Sequence, residues 1–426
     1  MNRISTAAFA AALLGAGALA SAPAIAKDKQ QAPADGLKLS PAFRTAAAPA
    51  QAAVQAKDYV TAQPLIVQAE AAATTDDEKY VAAALRYDME ANRLYAAQNA
   101  NPNAPVNETV LAAPLDVLIA NPRTPAADRG RYAFRRGFLA FNGKQYPAAI
   151  RYFQQAKQLG YTDGDIDIQI VKAKMESGDV AGGTADLRAV MDRMTAAGQK
   201  PPEAYYRYAI ARSNAAKDKT GTMAWMSRWV AAYPAPQNWR DIVVFYGLQQ
   251  GSVDTLDNAQ KLDLYRLLHD TKSLSDQVIY EQYAESATKR GLSAEAASVL
   301  REGQASGRLP ASVAAAPLAR ASAAARAEGS LAPLDTKSRA SADGKLASQT
   351  ADGYFSQGQY AKAADLYRVA LSKGGVVEDD VNTHLGIALS RSGDKAGAQA
   401  AFAAVKGAPR ANIAALWTVW LNSSPA

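Results

Sequence analysis

Two serines stand three places ahead of a lysine, Ser286 with Lys289 and Ser392 with Lys395. That spacing brings a hydroxyl within reach of an amine able to take its proton, as an acyl-transfer nucleophile requires. The companion motifs of such chemistry are missing and both pairs fall at turns, so coincidence is the better reading. Asp163-Gly164-Asp165-Ile166-Asp167 alternates carboxylates as a calcium loop begins. Its sixth place is Ile168, where the sharp turn needs glycine, and its twelfth is Lys174, where a bidentate glutamate belongs. These acids read instead as the start of a helix, where they complement its dipole. The only histidines, His269 and His384, have no glutamate at zinc-site spacing and read as structural or exposed. The chain has no cysteine, which removes disulfides, thiolate ligands and cysteine nucleophiles together.

What would position any site is a recurring pair of helices. In Arg131 to Leu159, small or aromatic residues occupy Gly137, Tyr146, Ala149, Phe153 and Ala156, and a turn after Gly143 separates two amphipathic halves. An anchor followed by residues 9, 12, 16 and 19 places on recurs from Ala50, Val171, Ala351 and Gly386, and more loosely from Ala284. Gly or Ala at the anchor and 12 places on lets two helix backbones approach. The large residue 16 places on is expected against the neighbouring pair, and Gly143, Gly178, Gly358 and Gly393 are expected to end first helices. Anchors 34 or 35 residues apart imply about ten hairpins, stacked because one hairpin cannot bury both its faces. Ser40-Pro41 is a good helix start, and Gln98 to Glu108 reads as an insertion.

Over Gly130 to Tyr161 and Gly344 to Val405 most strongly, these spacings resemble the tetratricopeptide repeat family, though Ala133 stands where that family often has tryptophan. The resemblance implies an all-α fold, an α-solenoid wound as a right-handed superhelix, whose first helices line a groove for extended or helical peptides. Carried over, the groove positions are Arg131, Phe134, Phe138, Phe141 and Asn142, then Ile168, Lys172, Tyr206, Ile210 and Asn214. The lysine- and asparagine-rich clamp that grips a chaperone C-terminus is not matched, because Phe134 and Phe138 hold its decisive places. An aromatic groove remains, unless the next hairpin buries Phe138 and Phe141.

Elsewhere, Trp225, Trp229 and Tyr233 at spacing four read as core. The Ala, Ser and Arg stretch from Leu309 to Ala342 is helix-forming but poorly specifying and is expected to be less ordered. Ala411 to Leu421 is apolar almost all round and is expected to close the last hairpin.

Arg3, an apolar run from Ala7 to Ala20 and Ala24-Ile25-Ala26 read as an export signal cleaved before Lys27. The expected organisation is a signal at 1–26, a flexible leader at 27–39 and N-terminal hairpins with the insertion at 40–129. Repeats follow at 130–201, divergent hairpins at 202–343, repeats at 344–410 and a capping helix and tail at 411–426. Formal net charge is +7 over 426 residues, with arginines scattered among acids, which argues against nucleic-acid binding. The leading expectation is a periplasmic or secreted, non-catalytic scaffold for a protein or peptide partner, without cofactor, metal or stable membrane insertion. The rival is an envelope factor that binds peptidoglycan or another anionic glycan. A divergent hydrolase is the remote third: Glu285-Ser286 is similar to the catalytic dipeptide of lytic transglycosylases, but their glycine-rich second motif is missing.

Overall fold

The computed structural model describes residues 36–102, 106–162 and 165–423. The export signal lies outside the described residues, as do most of the leader and Asp163-Gly164 of the acidic stretch. The fold is all-α and helical-repeat in kind: the described residues form 21 α-helices and no strand. No helix among them is long and apolar enough to cross a membrane.

The chain divides into two compact units between Gln199 and Lys200. The first contains α1 (Pro41–Gln55), α2 (Tyr59–Ala72), α3 (Asp76–Ala100), α4 (Ala112–Ala120), α5 (Ala126–Asn142), α6 (Tyr146–Gln158), α7 (Ile166–Glu176) and α8 (Val180–Ala196). Each odd helix packs on the even one after it, and successive pairs stack. Ser40 caps α1 by accepting from Phe43 N at 3.2 Å, and Thr75 with Glu78 forms a capping box on α3.

The second unit contains α9 (Glu203–Ala215), α10 (Lys219–Ala232), α11 (Pro236–Val243), α12 (Asn258–Asp270), α13 (Gln277–Lys289), α14 (Ser293–Ala305), α15 (Ala311–Glu328), α16 (Ala332–Ala340), α17 (Lys345–Ser356), α18 (Tyr360–Lys373), α19 (Glu378–Arg391), α20 (Lys395–Ala404) and α21 (Arg410–Ser423). Trp225, Trp229 and Trp239 are all buried. The stretch expected to be less ordered forms α15 and α16, because alanine favours helix even where little side chain is available to bury. These two helices are not a hairpin: α15 packs along α14, and α16 along α17.

Two local expectations are refined. Tyr367 and Phe402, 16 places after their anchors, lie against the following helices as expected, 5.9 Å from His384 and 6.1 Å from Trp417, but the spacing does not foretell the fit of such a ring within its own hairpin. Phe153, 16 places after its anchor, is fully buried within its own hairpin, and a Cβ on Gly137 would lie 2.6 Å from its ring. Phe402 covers Gly386 in the same way, at 2.4 Å, so the missing side chain at the anchor makes room for the ring rather than only for a backbone. Gly178, Gly358 and Gly393 adopt left-handed backbone as expected, but Gly143 does not, and the left-handed residue in that turn is Lys144 (φ 57°). Lys57, Lys217 and Lys272 adopt the same conformation (φ 59–60°). In four turns an aspartate follows directly and caps the second helix: Asp58, Asp179, Asp218 and Asp394 each accept from the backbone N–H three residues on.

Candidate partner-binding site

Helix α5 turns Tyr132, Ala133, Gly137, Leu139 and Ala140 into the core of the first unit and leaves Arg131, Phe134, Phe138, Phe141 and Asn142 on its other side. The three phenylalanines are half-buried, and they pack within their own hairpin. Phe134 is edge-on to Phe138 at 4.9 Å between centroids, and both reach Phe153, at 5.6 and 5.4 Å. Tyr161, just beyond α6, lies 4.7 Å from Phe134, and Tyr146 lies 5.6 Å from Phe141. The buried Phe153 is therefore the floor of an aromatic row whose upper edges remain accessible.

Arginines flank this row, and each has an acid. Arg131 meets Asp128 at 2.6 Å, Arg135 meets Glu108 at 2.7 Å, and Arg136 meets Asp116 at 2.9 Å, where the Tyr152 hydroxyl also donates at 2.8 Å. Pairing of this kind removes much of the attraction an anionic polymer would feel here. Asn142 is exposed, and Lys172 on α7 is partly so.

Ile168 on α7 is buried and lines no open groove; of the three remaining candidates, all in the second unit, Ile210 is buried as well. Asn214 is exposed near the end of α9, whereas Tyr206 is 5% exposed, edge-on to Trp225 and Tyr233 at 6.4 and 5.9 Å. Tyr206 is a core residue of the α9–α10 hairpin, because the aromatic residues opposite it leave no open face.

The inner helix faces of the second unit hold a buried ionic network. Asp263 on α12 is fully buried; it receives Arg266 Nη1 at 3.0 Å, pairs with Arg410 of α21, and lies 3.4 Å from His384 Nε2 of α19. The other nitrogen of His384 is 3.1 Å from Asp352 of α17, which accepts the Tyr367 hydroxyl at 2.6 Å. Arg266 also donates twice to Glu295, at 2.8 and 2.7 Å, and Glu295 accepts from the Tyr283 hydroxyl at 2.9 Å. Beside this core, Arg391 donates twice to Asp270 at 3.0 Å, and His269 joins Asp270 and Glu302 at 2.7 and 2.9 Å.

Burial alone would push the Asp263 carboxyl up, but His384 and Arg410 beside it hold it well below the usual carboxylate range. Burial disfavours the His384 cation, yet Asp263 and Asp352 raise its pKa to about 9. Hydrogen bonds to Asp270 and Glu302 raise His269 to about 9 against the effect of burial. Both histidines are thus paired within the fold, the structural one of the two roles read for them from the sequence. Helix α21 closes the last hairpin as expected, with Trp417 stacked 6.1 Å from Phe402, but it also packs on α10 and α12 far back in the chain. Along these shared faces the space is filled by ion pairs.

The pairs that suggested hydrolysis are not assembled. Lys289 binds Glu285 at 2.6 Å, and the Ser392 hydroxyl donates to the Leu389 carbonyl at 3.1 Å. Among the described residues, no group of three or more acids, histidines or cysteines could hold a metal ion. In the acidic stretch, Asp167 lies in the first turn of α7 and binds Lys157 and Arg193, both at 2.6 Å.

No family model matches the chain, and no curated protein sequence does. Solved structures similar to it include two helical examples. One is a structure of Naa15/Naa10 bound to HypK-THB, 14% identical over 86% of this chain and 58% of that one, with a TM-score of 0.29. The other is the crystal structure of the pentatricopeptide repeat protein PPR10 from maize, 15% identical over 90% of this chain and 54% of that one, with a TM-score of 0.27. This chain therefore spans a little over half the length of either.

Proposed function

We propose that this chain is an exported, tetratricopeptide-like scaffold that holds a protein or peptide partner against α5 and does no chemistry of its own. The observation that carries this reading is the half-buried aromatic row of Phe134 and Phe138, set on a fixed floor by Phe153, with Phe141 beside Tyr146 at its end. Rigid aromatic anchors with accessible edges suit apolar side chains of a partner. Export is proposed from the signal at 1–26, with cleavage near Ala26-Lys27 and work in the periplasm or outside the cell; sequencing the mature N-terminus tests that part. The scaffold itself is tested by pull-down of the mature chain from an envelope fraction, beside a Phe134→Ala/Phe138→Ala form. A protein retained by the first and lost from the second supports it, and equal recovery by both refutes it. Sedimentation with purified cell wall that moderate salt abolishes would support the anionic-glycan reading instead.

A further inference from the structure

Helix α21 lies in the second unit as a bound peptide lies in a groove. It packs on α19 and α20, which precede it, and also on α10 and α12, far back in the chain. Its polar grip is confined to its first turn. Arg410, the only charged residue of the helix, pairs through Nη1 with Asp263 of α12 and donates through Nε to Asp380 of α19 at 2.6 Å. Just ahead of it, the Pro409 carbonyl accepts the Tyr246 hydroxyl at 3.3 Å. Ile413, Leu416, Trp417 and Leu421 follow, all buried, with Trp417 stacked on Phe402 of α20. An arginine with large apolar residues 3, 7 and 11 places on is the face an amphipathic helix offers to a groove.

The seat of α21 is separable from its tether. Residues 405–409 join it to α20, and the Asp379 carboxylate on α19 accepts the N–H groups of Lys406 and Gly407 at 3.0 and 2.7 Å, which fixes the hinge independently of the helix beyond it. The fit is also incomplete. Arg410 Nη2 and Trp417 Nε1 are buried donors without a partner among the described residues, and each weakens the hold of the helix. Once Arg410 leaves, Asp263 keeps Arg266 and His384, whereas Asp380 has no other ion pair among the described residues. The vacated groove would present a carboxylate to the next guanidinium.

We propose that α10, α12, α19 and α20 form a helix-binding groove, that α21 is its resting occupant, and that a partner helix carrying an arginine ahead of an apolar stripe displaces it. This goes beyond the scaffold reading, since the groove lies on other helices than α5 and is closed until α21 yields. The chain's own helix lowers the apparent affinity for the partner by the fraction of time the groove is open.

The chain has no cysteine, so a reversible lock can be built into the full mature chain. Gln399 and Asn422 are exposed, and their side chains hydrogen-bond across α20 and α21 at 2.7 Å. In Gln399→Cys/Asn422→Cys, a short bis-methanethiosulfonate reagent bridges the two thiols, pinning α21, and a reductant frees it. The probe is a fluorescein-labelled peptide with the sequence of residues 408–423. It is expected to bind the freed form at least about tenfold more tightly than the bridged form, and its arginine-to-alanine counterpart should lose most of that binding. Amides of α21 should exchange with deuterium at least about tenfold faster than those of α12 in the freed form, and in step with them in the bridged form. Equal binding to both forms, binding to neither, or exchange of α21 in step with α12 when freed overturns the proposal and makes α21 a fixed part of the fold. A probe that binds only as a dimer of the chain dissociates would put a second copy's α21 in the groove and overturn the partner helix. The pull-down through Phe134 and Phe138 is read separately from all of these, because those residues lie on α5 in the first unit.

Discussion

Asp263→Ala tests how the second unit is held together. Asp263 is fully buried and is shared by Arg266 of its own helix and by His384 and Arg410 of two helices distant in sequence, α19 and α21. Removing it leaves each cation one other acid: Glu295 for Arg266, Asp380 for Arg410 and Asp352 for His384. None of the three becomes wholly unpaired, yet all lose a partner where water cannot replace it. Breaking a buried ion pair from one side costs about 3–5 kcal/mol, and a domain of this size loses roughly 2–4 °C in Tm per kcal/mol, so a fall of roughly 6–20 °C is expected. Denaturant and thermal unfolding of Asp263→Ala beside Asp263→Asn give the measurement. Asn keeps the shape but not the charge and should unfold earlier than the wild type. A loss below about 1 kcal/mol in Asp263→Ala would refute the view that this network locks α12, α17, α19 and α21 together.

The paired histidines make stability depend on pH in a defined direction. With folded pKa values of about 9 against an unfolded value of about 6.5, their contribution is full below pH 6.5 and is lost as pH rises through 9; for His384 this amounts to about 3 kcal/mol. His269, 30% exposed, contributes less, and His384→Gln should flatten most of the slope in unfolding free energy measured from pH 6 to 10. Gly386→Ala places a Cβ 2.4 Å from the Phe402 ring and should cost about 1–3 kcal/mol by chemical denaturation, with recovery in Gly386→Ala/Phe402→Leu. Lys217→Gly relieves a left-handed backbone that glycine adopts without strain and should gain up to about 1 kcal/mol in the same assay.

The repeat architecture was legible because its signal is periodic. Gly137 with Phe153 and Gly386 with Phe402 share one spacing, and close packing of helix pairs demands small and large residues at those places. The partner of each ring was not legible, since the same spacing serves a ring packed in its own hairpin or against the next one. Lys57 and Lys217 in left-handed turns were hidden because glycine is the ordinary sign of that conformation; the capping aspartate that follows each, Asp58 and Asp218, was the available clue, and Lys144, followed by Gln145, carried none.

The ionic network was invisible for a different reason. Asp263, Arg266 and Asp270 lie three and seven places apart on α12, the pattern of a solvent-facing stripe, and only α17, α19 and α21 folding back over it turn that stripe into an interior. In the candidate groove, Arg131, Phe134, Phe138 and Phe141 share a face because they share a helix, whereas the orientation of Tyr206 was decided by Trp225 opposite it.

The most direct test of the scaffold reading is site-specific photo-crosslinking in cells, with a benzoylphenylalanine at 138 on the aromatic row and, as control, at 60, where Val60 is 87% exposed on α2. Defined adducts from 138 that are missing from 60 and lost in Phe134→Ala are the expected result. No adduct from 138, or the same adducts from both positions, would contradict it.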